Sequence, residues 1–556
     1  MVAIPLGNCY NKHMRKELIT KIEKATKADV FTEKNIRDYF AVDGSIFTQT
    51  PELVVYPTDT NDVSQLVKIL DQEARSKRKT IGITARGKGT DQSGGALTEG
   101  VSLVFPAHMN HILDVDKGLV KLQPGVHYAS LQRVLHSHGR FMPPYPSSIN
   151  FSSIGGAIAN NACGEKTVKY GSTREYVKSL KVVLSDGQVI TTKRLTPFGL
   201  ARKKQQQDLE GKIYREVDAL LKSKHAILQQ AHPHTSKNSA GYDVWGVRGR
   251  HGSFDLTPLL VGSQGTLAVI TEAQLSVPIY NPHTTLLVGY FDDLKHMEAA
   301  CAQLLKLGPS ALEFVDSHLL DFLHKYHPSM IRGVVPKPTP KVVLLCEFDN
   351  VSSVVRQVKS QRAIKIMENY ARSHRLSVKA SEQQALWRIR HSAAAVIWMN
   401  KGKQKALPII EDGVVPLHNM KQFLEGTYAL LKKYKLEIAV WGHAGDANLH
   451  LQPFMDLSKA TDRTKVLKLA DEFYKMVIKL GGSTCGEHND GLSRAPYLQQ
   501  LYGKEVYEVF ATIKQIFDPH AIMNPGKKIG VTTSDTKKLL RHSYGMEHLY
   551  DHMPHN

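Results

Sequence analysis

The stretch that decides the fold is "ITARGKGTDQSGGA", residues 83–96, where a short apolar run leads into a polar loop with four glycines. Glycine allows successive backbone N–H groups to turn toward one centre and lets a ligand approach the main chain closely. Loops of this kind bind phosphate oxygens. The spacing fits neither the G-K-[ST] ending of a P-loop nor the G-x-G-x-x-G of a dinucleotide-binding turn. The stretch therefore predicts a phosphate-binding loop of another kind, with a turn of no function as the alternative.

Two more loops rich in small residues lie further along the chain. "PPYPSSINFSSIGGAIANNACGEKTVKYG" occupies residues 143–171, and "LLVGSQGTLAVIT" occupies residues 259–271. The first offers serine hydroxyls, paired glycines and two asparagine amides, and the second places two glycines before a predicted strand. Three separated loops of this type suit a long, extended ligand better than a single phosphate.

Alternating apolar and polar runs predict a mixed fold of strands and helices. Apolar runs bounded by turn residues predict strands at 52–57, 119–125, 180–192 and 341–348. The third run contains Asp186-Gly187, which predicts a hairpin turn. Residues 60–74 have the periodicity of a helix, with Thr60 or Asn61 as the N-cap.

The composition is that of a globular protein, and 556 residues favour two or three domains over one core. No apolar run approaches the roughly 20 residues of a membrane span, and the start lacks a signal-peptide core, so a cytoplasmic protein is expected. Five dispersed cysteines favour neither disulfides nor a cysteine-ligated cluster. The net charge of +20 suits anionic partners. Because the basic residues are spread along the chain, nucleic acid is not expected as a partner, whereas peripheral association with an anionic membrane is an open expectation.

The order of the three glycine-rich loops resembles that of a known flavoprotein superfamily. R-G-x-G-T with a later G-G, then I-G-G, then G-S-x-G-T-L is similar to the FAD-binding (PCMH-type) domain of the vanillyl-alcohol oxidase flavoproteins. More narrowly, it resembles the branch of D-lactate dehydrogenase and the glycolate oxidase FAD subunit. The resemblance covers residues 40–528 and implies an α+β fold, in which the FAD-binding domain precedes an α+β FAD-linked oxidase C-terminal domain.

The resemblance divides the chain into parts. We expect an N-terminal helical segment, the FAD-binding domain, the substrate domain and a histidine-containing tail at 1–45, 46–280, 281–530 and 531–556. The tail contains His542, His548, His552 and His555. A mobile segment is a simpler interpretation of this tail than a metal site.

The resemblance also implies which residues bind FAD. The backbone from Arg86 to Thr90 would hold the pyrophosphate, and the other loops would border the flavin and the adenosine. The full set is Arg86, Gly87, Lys88, Gly89, Thr90, Gly94, Gly95, Pro146, Ser147, Gly155, Gly156, Asn160, Gly265, Ile270 and Asn524. Some relatives attach the flavin through a histidine in the phosphate loop. Residues 83–96 contain none, so noncovalent FAD is expected.

A candidate metal site begins in "WGHAGDANLH", residues 441–450. His443 and His450 flank a tight turn that could bring both imidazoles to one point. A catalytic divalent metal usually has three protein ligands. Glu487 in "GEHND" supplies the third and leaves His488 as a base. Two polar turns with satisfied histidines are the alternative, and the resemblance to metal-dependent members of the branch favours a divalent metal such as zinc or manganese.

The substrate expected from the resemblance is a small 2-hydroxy acid such as D-lactate. Arg390 in "ALWRIRHSAAA" presents a planar guanidinium suited to a carboxylate. In relatives the position matching Arg390 binds the substrate carboxylate, with Lys405 assisting. Ala394 and Gln452 differ from the residues of some 2-hydroxyglutarate-specific relatives, which leaves the particular substrate open.

These assignments predict an FAD-dependent dehydrogenase that makes a 2-oxo acid. His488 would take the hydroxyl proton while a hydride passes from C2 to flavin N5, and Arg390 and Lys405 would hold the carboxylate. The electron acceptor would be a quinone, a cytochrome, a separate iron–sulfur subunit or oxygen. The alternatives are a metal-dependent hydrolase with structural glycine loops, an FAD-binding subunit that needs an iron–sulfur partner, and an enzyme like alkyl-glycerone-phosphate synthase.

Overall fold

A computed structural model describes residues 14–76, 80–399, 403–549 and 553–554 of the chain. The side chains of 392–399 lie outside this description, and with them that of Ala394. The tail histidines His552 and His555 also fall outside the described residues.

The first sheet carries the loop at 83–96. Its four strands are β1 (Asp29–Phe31), β2 (Leu53–Tyr56), β3 (Ile83–Arg86) and β4 (Val101–Val104), in the order β1-β2-β4-β3. Strands β2 and β3 both run parallel to β4, and β1 is antiparallel to β2. All four residues of β2 and of β4 are buried, as continuous apolar runs in parallel sheets are. The glycine-rich loop therefore leaves the carboxyl end of a parallel strand.

The second sheet is antiparallel throughout. Its strands are β5 (Ile112–Asp116), β6 (Leu119–Leu122), β7 (Val177–Val183), β8 (Val189–Lys193) and β9 (Val269–Ser276), in the order β5-β6-β9-β7-β8. β7 and β8 form the predicted hairpin, with Gly187 at φ 84° in its turn. Strand β9 buries every second residue, which is the pattern of a sheet with one face against a core.

The third sheet belongs to the second half of the chain. Its strands are β10 (Thr285–Phe291), β11 (Ala311–Asp316), β12 (Val342–Phe348), β13 (Ser373–Ser377), β14 (Lys405–Ala406), β15 (Gly413–Val414), β16 (Ile438–His443) and β17 (Asn448–Met455). The order is β13-β10-β12-β11-β16-β17-β14, and β15 also pairs with β17. Strands β16 and β17 form a hairpin around a single helical turn at Ala444–Asp446.

The helices cover the faces of these sheets. Those of the first half are α1 (Lys16–Ala25), α2 (Lys34–Tyr39), α3 (Thr60–Arg75), α4 (Tyr128–Ser137), α5 (Ile154–Asn160), α6 (Thr167–Tyr170), α7 (Pro197–Gln205), α8 (Leu209–Ser223), α9 (His225–Gln230) and α10 (Thr257–Leu260). Those of the second half are α11 (Leu294–Leu305), α12 (Ser317–Tyr326), α13 (Ser353–Tyr370), α14 (Ala380–Met399), α15 (Met420–Tyr434), α16 (Ala460–Lys479), α17 (Leu498–Phe517) and α18 (Thr533–Lys538). In the described part of the chain, no helix combines the length and the apolar character that a bilayer crossing requires.

The predicted α+β fold is confirmed, and three local expectations need correction. The N-cap of α3 is Asp59, whose side chain accepts from the N–H of Asp62, so neither Thr60 nor Asn61 caps it. The segment expected to be helical up to residue 45 contains strand β1, because Val30 and Phe31 pair with β2. The described part of the tail is packed against the protein rather than free, since His548 is buried.

Candidate active site

The three glycine-rich loops line one cleft. The predicted FAD-binding residues that line it are Arg86, Gly87, Lys88, Gly89, Thr90, Gly95, Gly155, Gly156, Asn160, Gly265 and Ile270. Gly94, Pro146, Ser147 and Asn524 are not part of this lining, whereas Asp91, Ser153 and Gln264 are. The polar lining residues that the sequence did not single out are Asp91 and Gln264.

The loop after β3 offers its backbone as a ligand-binding surface. In the described part of the chain, the backbone N–H groups of residues 87–91 donate no hydrogen bond to a protein acceptor. Gly89 has φ 75°, and a Cβ there would lie 2.3 Å from Nη2 of Arg86. Unpaired N–H donors in a concave glycine loop fit phosphate oxygens. The residues present therefore fit the pyrophosphate of FAD.

The second loop closes tightly against the first. Ser153 caps α5 by accepting a hydrogen bond of 3.4 Å from the N–H of Gly156. A Cβ on Gly87 would lie 2.1 Å from Oγ of Ser153. Because a side chain at position 87 would separate the two loops, glycine is required there.

A network of three side chains ties the loops together. Oδ1 of Asp91 accepts from the Asn160 amide at 2.9 Å, and Oδ2 accepts from the N–H of Gly95 at 2.5 Å. Nε2 of Gln264 donates to Oδ1 of Asn160 at 3.1 Å. One residue from each loop thus shares this network, which fixes the width of the cleft.

Asn524 supports the cleft from behind. Its amide donates to the carbonyl oxygens of Gly95 and Gln264 at 2.9 and 2.6 Å, and its Oδ1 accepts from Thr84 at 2.9 Å. The side chain is fully buried. These contacts join two loops through Asn524, and its contact with the flavin stays a prediction.

His443, His450 and Glu487 converge in the second half of the chain. His443 ends β16, His450 lies in β17, and Nε2 of each is 3.1 Å from Oε1 of Glu487. The two rings meet nearly at right angles with centroids 5.1 Å apart. The hairpin register explains the convergence: His443 pairs with Asn448 and Trp441 pairs with His450, so both histidines leave the same face of the sheet.

Two further carboxylates hold the outer nitrogens of these histidines. Nδ1 of His443 is 2.7 Å from Oε1 of Glu313, and Nδ1 of His450 is 3.4 Å from Oε2 of Glu411. A histidine that binds a metal through one ring nitrogen usually donates the N–H of its other ring nitrogen to a carboxylate. The donor set of two imidazoles and one carboxylate fits a divalent cation such as zinc or manganese.

Glu487 has a second set of partners on its other oxygen. Nζ of Lys237 donates to Oε2 at 2.8 Å, and Sγ of Cys163 donates to the same oxygen at 3.0 Å. Burial alone would raise the pKa of Glu487, but Lys237 and His443 outweigh it and hold that pKa well below the usual range. The carboxylate of Glu487 is therefore ionised, and its Oε1 faces His443 and His450.

His488 lies beside this group, on the same acidic support. Its Nδ1 is 2.8 Å from both oxygens of Glu411, and its Nε2 is 3.7 Å from Oε1 of Glu487. Burial alone would lower the pKa of His488, but Glu411 and Asp412 raise it to about 9. The ring stacks on His450 at 5.0 Å, and its side chain keeps about a quarter of its surface exposed, so it is the histidine that a ligand reaches.

Asp412 shapes the loop that carries Glu487 and His488. Its carboxylate accepts the backbone N–H groups of both residues, at 3.0 and 2.7 Å. Asp412 itself has φ 66°, and Asn489 just beyond the base has φ 65°. Left-handed conformations cost free energy in residues other than glycine, and they concentrate at functional sites.

Arg390 is buried and takes part in the same chain of ion pairs. Its Nε donates to Oε2 of Glu313 at 2.9 Å, on the carboxylate whose other oxygen contacts His443. Arg494 similarly pairs with Glu411. Lys405 begins β14 opposite Met455, at the edge of the sheet, and its role in substrate binding stays a prediction.

Sequence reasoning missed five supporting residues of this cluster, which are Lys237, Glu313, Glu411, Asp412 and Arg494. A signal existed for three of them. Glu313 interrupts the apolar strand "ALEFVD", and Glu411 and Asp412 interrupt the apolar run "LPIIEDGVVP". Carboxylates inside apolar runs are almost never fully buried unless they are paired. Lys237 and Arg494 have no comparable local signal.

The cluster and the cleft are directly joined through the loop after His488. Asn489 donates to the carbonyl oxygen of Asn160 at 3.1 Å, and the N–H of Gly491 donates to Oε1 of Gln264 at 2.8 Å. Asn160 and Gln264 both line the cleft. The histidine next to the candidate metal ligands is therefore one residue away from the cleft wall.

The fold and these two connected sites define a two-domain flavoprotein, and family comparison agrees. Residues 51–193 match the family described as an FAD binding domain, and residues 281–528 match the C-terminal domain of FAD linked oxidases. The chain is 31% identical over 492 residues to the glycolate oxidase subunit GlcD of Bacillus subtilis, covering 86% of this chain and 89% of that protein. The chain belongs to the FAD-linked oxidases of the vanillyl-alcohol oxidase flavoprotein superfamily, which confirms the resemblance seen in the sequence.

Other relatives differ in name and in length. A D-lactate dehydrogenase of Anaerostipes hadrus is 28% identical, covering 93% of this chain and 98% of that protein. A D-2-hydroxyglutarate dehydrogenase of Pseudomonas putida is 27% identical over 88% of this chain, and the match spans only 49% of that protein. The chain is thus close in length to the first two relatives and about half as long as the third.

Solved structures share the fold at low sequence identity. A 4-ethylphenol oxidase from Gulosibacter chungangensis aligns with a TM-score of 0.63 at 16% identity over 93% of this chain and 97% of that one. An alkyldihydroxyacetonephosphate synthase aligns with a TM-score of 0.61 at 17% identity over 92% and 86%. At these identities the likeness concerns the fold alone.

Proposed function

We propose that this protein is an FAD-dependent dehydrogenase that oxidises a small 2-hydroxy acid to the 2-oxo acid. The observation that carries the proposal is the link between His488 and the cleft through Asn489 and Gly491, which contact Asn160 and Gln264. This link supports a site in which the proposed base lies next to the proposed cofactor cleft. The names of the relatives, a glycolate oxidase subunit and two D-2-hydroxy acid dehydrogenases, support this substrate class.

The chain's own residues divide the work of binding and proton transfer. FAD, bound noncovalently in the cleft, supplies a hydride acceptor for C2 of the substrate. His488 takes the proton of the substrate hydroxyl at Nε2, while Glu411 holds the ring through Nδ1. The stacking of His488 on His450 keeps the ring plane fixed.

Arg390 is the residue that binds the substrate carboxylate in this proposal. Glu313 fixes the guanidinium through Nε at 2.9 Å, so the terminal nitrogens keep a defined direction. A planar guanidinium that is already oriented loses little freedom when it binds a carboxylate. Lys405 is proposed as an assisting cation.

His443, His450 and Glu487 are the proposed ligands of a divalent metal. Such a metal, when bound, would lower the pKa of a hydroxyl group placed next to it. Its positive charge would also lower the pKa of the neighbouring His488, which Glu411 and Asp412 raise. Lys237 and Cys163 hold the far oxygen of Glu487, so that Oε1 remains directed at the two imidazoles.

Gln452 extends the polar face of β17 toward the substrate. It is buried, and its Oε1 has no hydrogen-bond partner among the residues that the structure describes. As the second residue after His450 it leaves the same face of the strand. We propose that this amide contacts the group attached to C2 and so contributes to the choice of 2-hydroxy acid.

The electron acceptor is proposed to be a quinone, a cytochrome or a separate iron–sulfur subunit. One relative is named as a subunit, which supports a partner protein. Peripheral association with an anionic membrane is consistent with the net charge of +20. The membership in a flavoprotein family favours this class of enzyme over a metal-dependent hydrolase.

Replacement of His488 tests the proposed mechanism. Under anaerobic mixing with a 2-hydroxy acid, His488→Ala is expected to reduce its flavin about 100- to 10,000-fold more slowly. FAD content should stay at the parent level, since His488 is not part of the cleft lining. His418→Ala, on an exposed turn, is the control and should reduce flavin normally. Flavin reduction at the parent rate in His488→Ala would remove His488 from the mechanism.

A further inference from the structure

The C-terminal segment from Leu540 to Leu549 packs beside the glycine loop that follows β3. It lies outside the family match, which ends at residue 528. Leu540 forms a β-bridge with Phe47, and the N–H of Arg541 donates to the carbonyl oxygen of Ile46 at 2.9 Å. The segment thus adds a layer over residues 40–48, which in turn cover the loop.

Arg541 and Tyr544 attach the segment to the backbone of this intermediate layer. The guanidinium of Arg541 donates to the carbonyl oxygens of Asp43 and Ser45 at 3.4 and 3.3 Å. The hydroxyl of Tyr544 donates to the carbonyl oxygen of Gly44 at 2.8 Å. The N–H of Gly44 donates in turn to the carbonyl oxygen of Gly89 at 2.9 Å.

His548 reaches the same carbonyl oxygen directly. Its Nε2 lies 3.1 Å from the carbonyl oxygen of Gly89, and the side chain is buried. Burial, and then the charge of Arg86, lower the pKa of His548 to about 4, so the ring is neutral near pH 7. The contact requires Nε2 to carry the ring's one proton. Tyr39 fixes the backbone of His548 by donating to its carbonyl oxygen at 2.7 Å.

The carbonyl of Gly89 decides where the next N–H points. In a trans peptide the C=O of one residue and the N–H of the following residue point in opposite directions. With the Gly89 carbonyl held by Gly44 and His548, the N–H of Thr90 is turned to the other side of the loop. Thr90 lines the cleft, and its N–H has no acceptor among the described residues.

We propose that residues 540–549 form a strap that holds the phosphate loop in its FAD-binding conformation, with His548 as the positioning residue. The strap slows the loss of FAD rather than taking part in substrate oxidation. The proposal rests on the FAD-binding part of the proposed function and is independent of the substrate.

The rate of FAD release tests the strap without any turnover. The holoenzyme is diluted and the fluorescence of released FAD is followed, for the parent, His548→Leu, His548→Gln and His542→Leu. Loss of one neutral hydrogen bond should make His548→Leu release FAD about fivefold faster. His548→Gln keeps an N–H donor and should restore most of the slow release. His542 is exposed in the same segment and its variant should behave as the parent.

The possible outcomes separate this inference from the proposed function. Equal release rates for the parent and both His548 variants, with unchanged melting temperatures, would overturn the strap. A parent that binds no FAD would overturn the proposed function and the strap together. If His548→Leu does not fold, Tyr544→Phe removes only the hydroxyl that contacts Gly44: faster FAD release supports the strap, and an unchanged rate overturns it.

Discussion

The cofactor cleft and the histidine cluster recognise their ligands with different parts of the chain. The cleft offers backbone N–H groups of residues 87–91, and its main requirement is glycine at positions such as Gly87 and Gly89. The cluster offers side chains from β16, β17 and the loop at 487–488, each supported by another buried charge. A backbone site depends on local conformation, whereas a side-chain site depends on residues that are distant in sequence. Mutations should therefore act differently in the two regions.

Removal of a proposed metal ligand should have the largest effect. Glu487→Gln keeps the size of the side chain but removes the charge shared by His443 and His450. Loss of a supporting group typically costs about 10- to 100-fold in metal affinity, so we expect loss of a ligand to cost at least about 100-fold. Metal content of the purified protein and titration with zinc or manganese measure it.

The matched control for this change is His418→Ala, which removes an exposed histidine on a different turn. It should leave metal content unchanged. Equal metal content in Glu487→Gln and the parent would show that the cluster is only a structural network of ion pairs.

Arg390→Lys should weaken binding of the substrate carboxylate. Lysine keeps the charge but loses the planar fork and the contact with Glu313. A lost charge-assisted hydrogen bond corresponds to about 10- to 100-fold in KM for the 2-hydroxy acid. Arg388→Lys, exposed on the same helix, serves as the control. A KM that rises equally in both variants would argue against a role of Arg390 in binding.

Lys237→Met tests whether the far side of Glu487 matters for the metal. Nζ of Lys237 donates to Oε2 at 2.8 Å, and methionine fills a similar volume without charge. We expect about tenfold weaker metal binding, as for other supporting residues, with FAD content unchanged. Lys432→Met, on the exposed face of α15, should not affect metal titration. If Lys237→Met binds the metal as tightly as the parent, Lys237 does not contribute to metal binding.

Gly89→Ala should affect only the cleft, with an effect of the same order as that of Lys237→Met. The φ of 75° disfavours alanine by about 1 to 2 kcal/mol, which corresponds to roughly five- to thirtyfold weaker FAD binding if the loop shifts to relieve it. Metal content should not change.

Gly139→Ala provides the control for backbone strain alone. Gly139 has φ 65°, has nothing within 4 Å of an added Cβ and is not part of the cleft lining. It should lower the melting temperature without weakening FAD binding. Equal FAD affinity for both variants would mean that the conformation at Gly89 does not control the cofactor site.

The same contrast explains how far the sequence could predict the structure. The cleft was recognisable because glycine is needed at fixed positions of short loops, and eleven of its predicted residues line it. His443 and His450 were recognisable because one hairpin carries both. The sequence could not show that Glu313, 130 residues before His443, supports that ring.

The N-cap of α3 was misjudged for a local reason, and the tail because of tertiary packing. Asp59, one residue before the expected caps, closes α3, because its carboxylate reaches the N–H of Asp62. Asn524 donates its side-chain amide to the carbonyl oxygens of two loops, and its expected contact with the flavin stays a prediction. The tail has little apolar content, yet His548 is buried by its contact with Gly89, which no local pattern could indicate.

Anaerobic mixing of the yellow protein with D- and L-2-hydroxy acids tests the central claim most directly. Glycolate, both lactates and both 2-hydroxyglutarates are added in turn, and the flavin absorbance is followed before and after chelation of divalent metals. We predict that at least one of these acids bleaches the flavin, with one enantiomer preferred, and that chelation abolishes the bleaching. A protein whose FAD is reduced by dithionite but by none of these acids would contradict the claim.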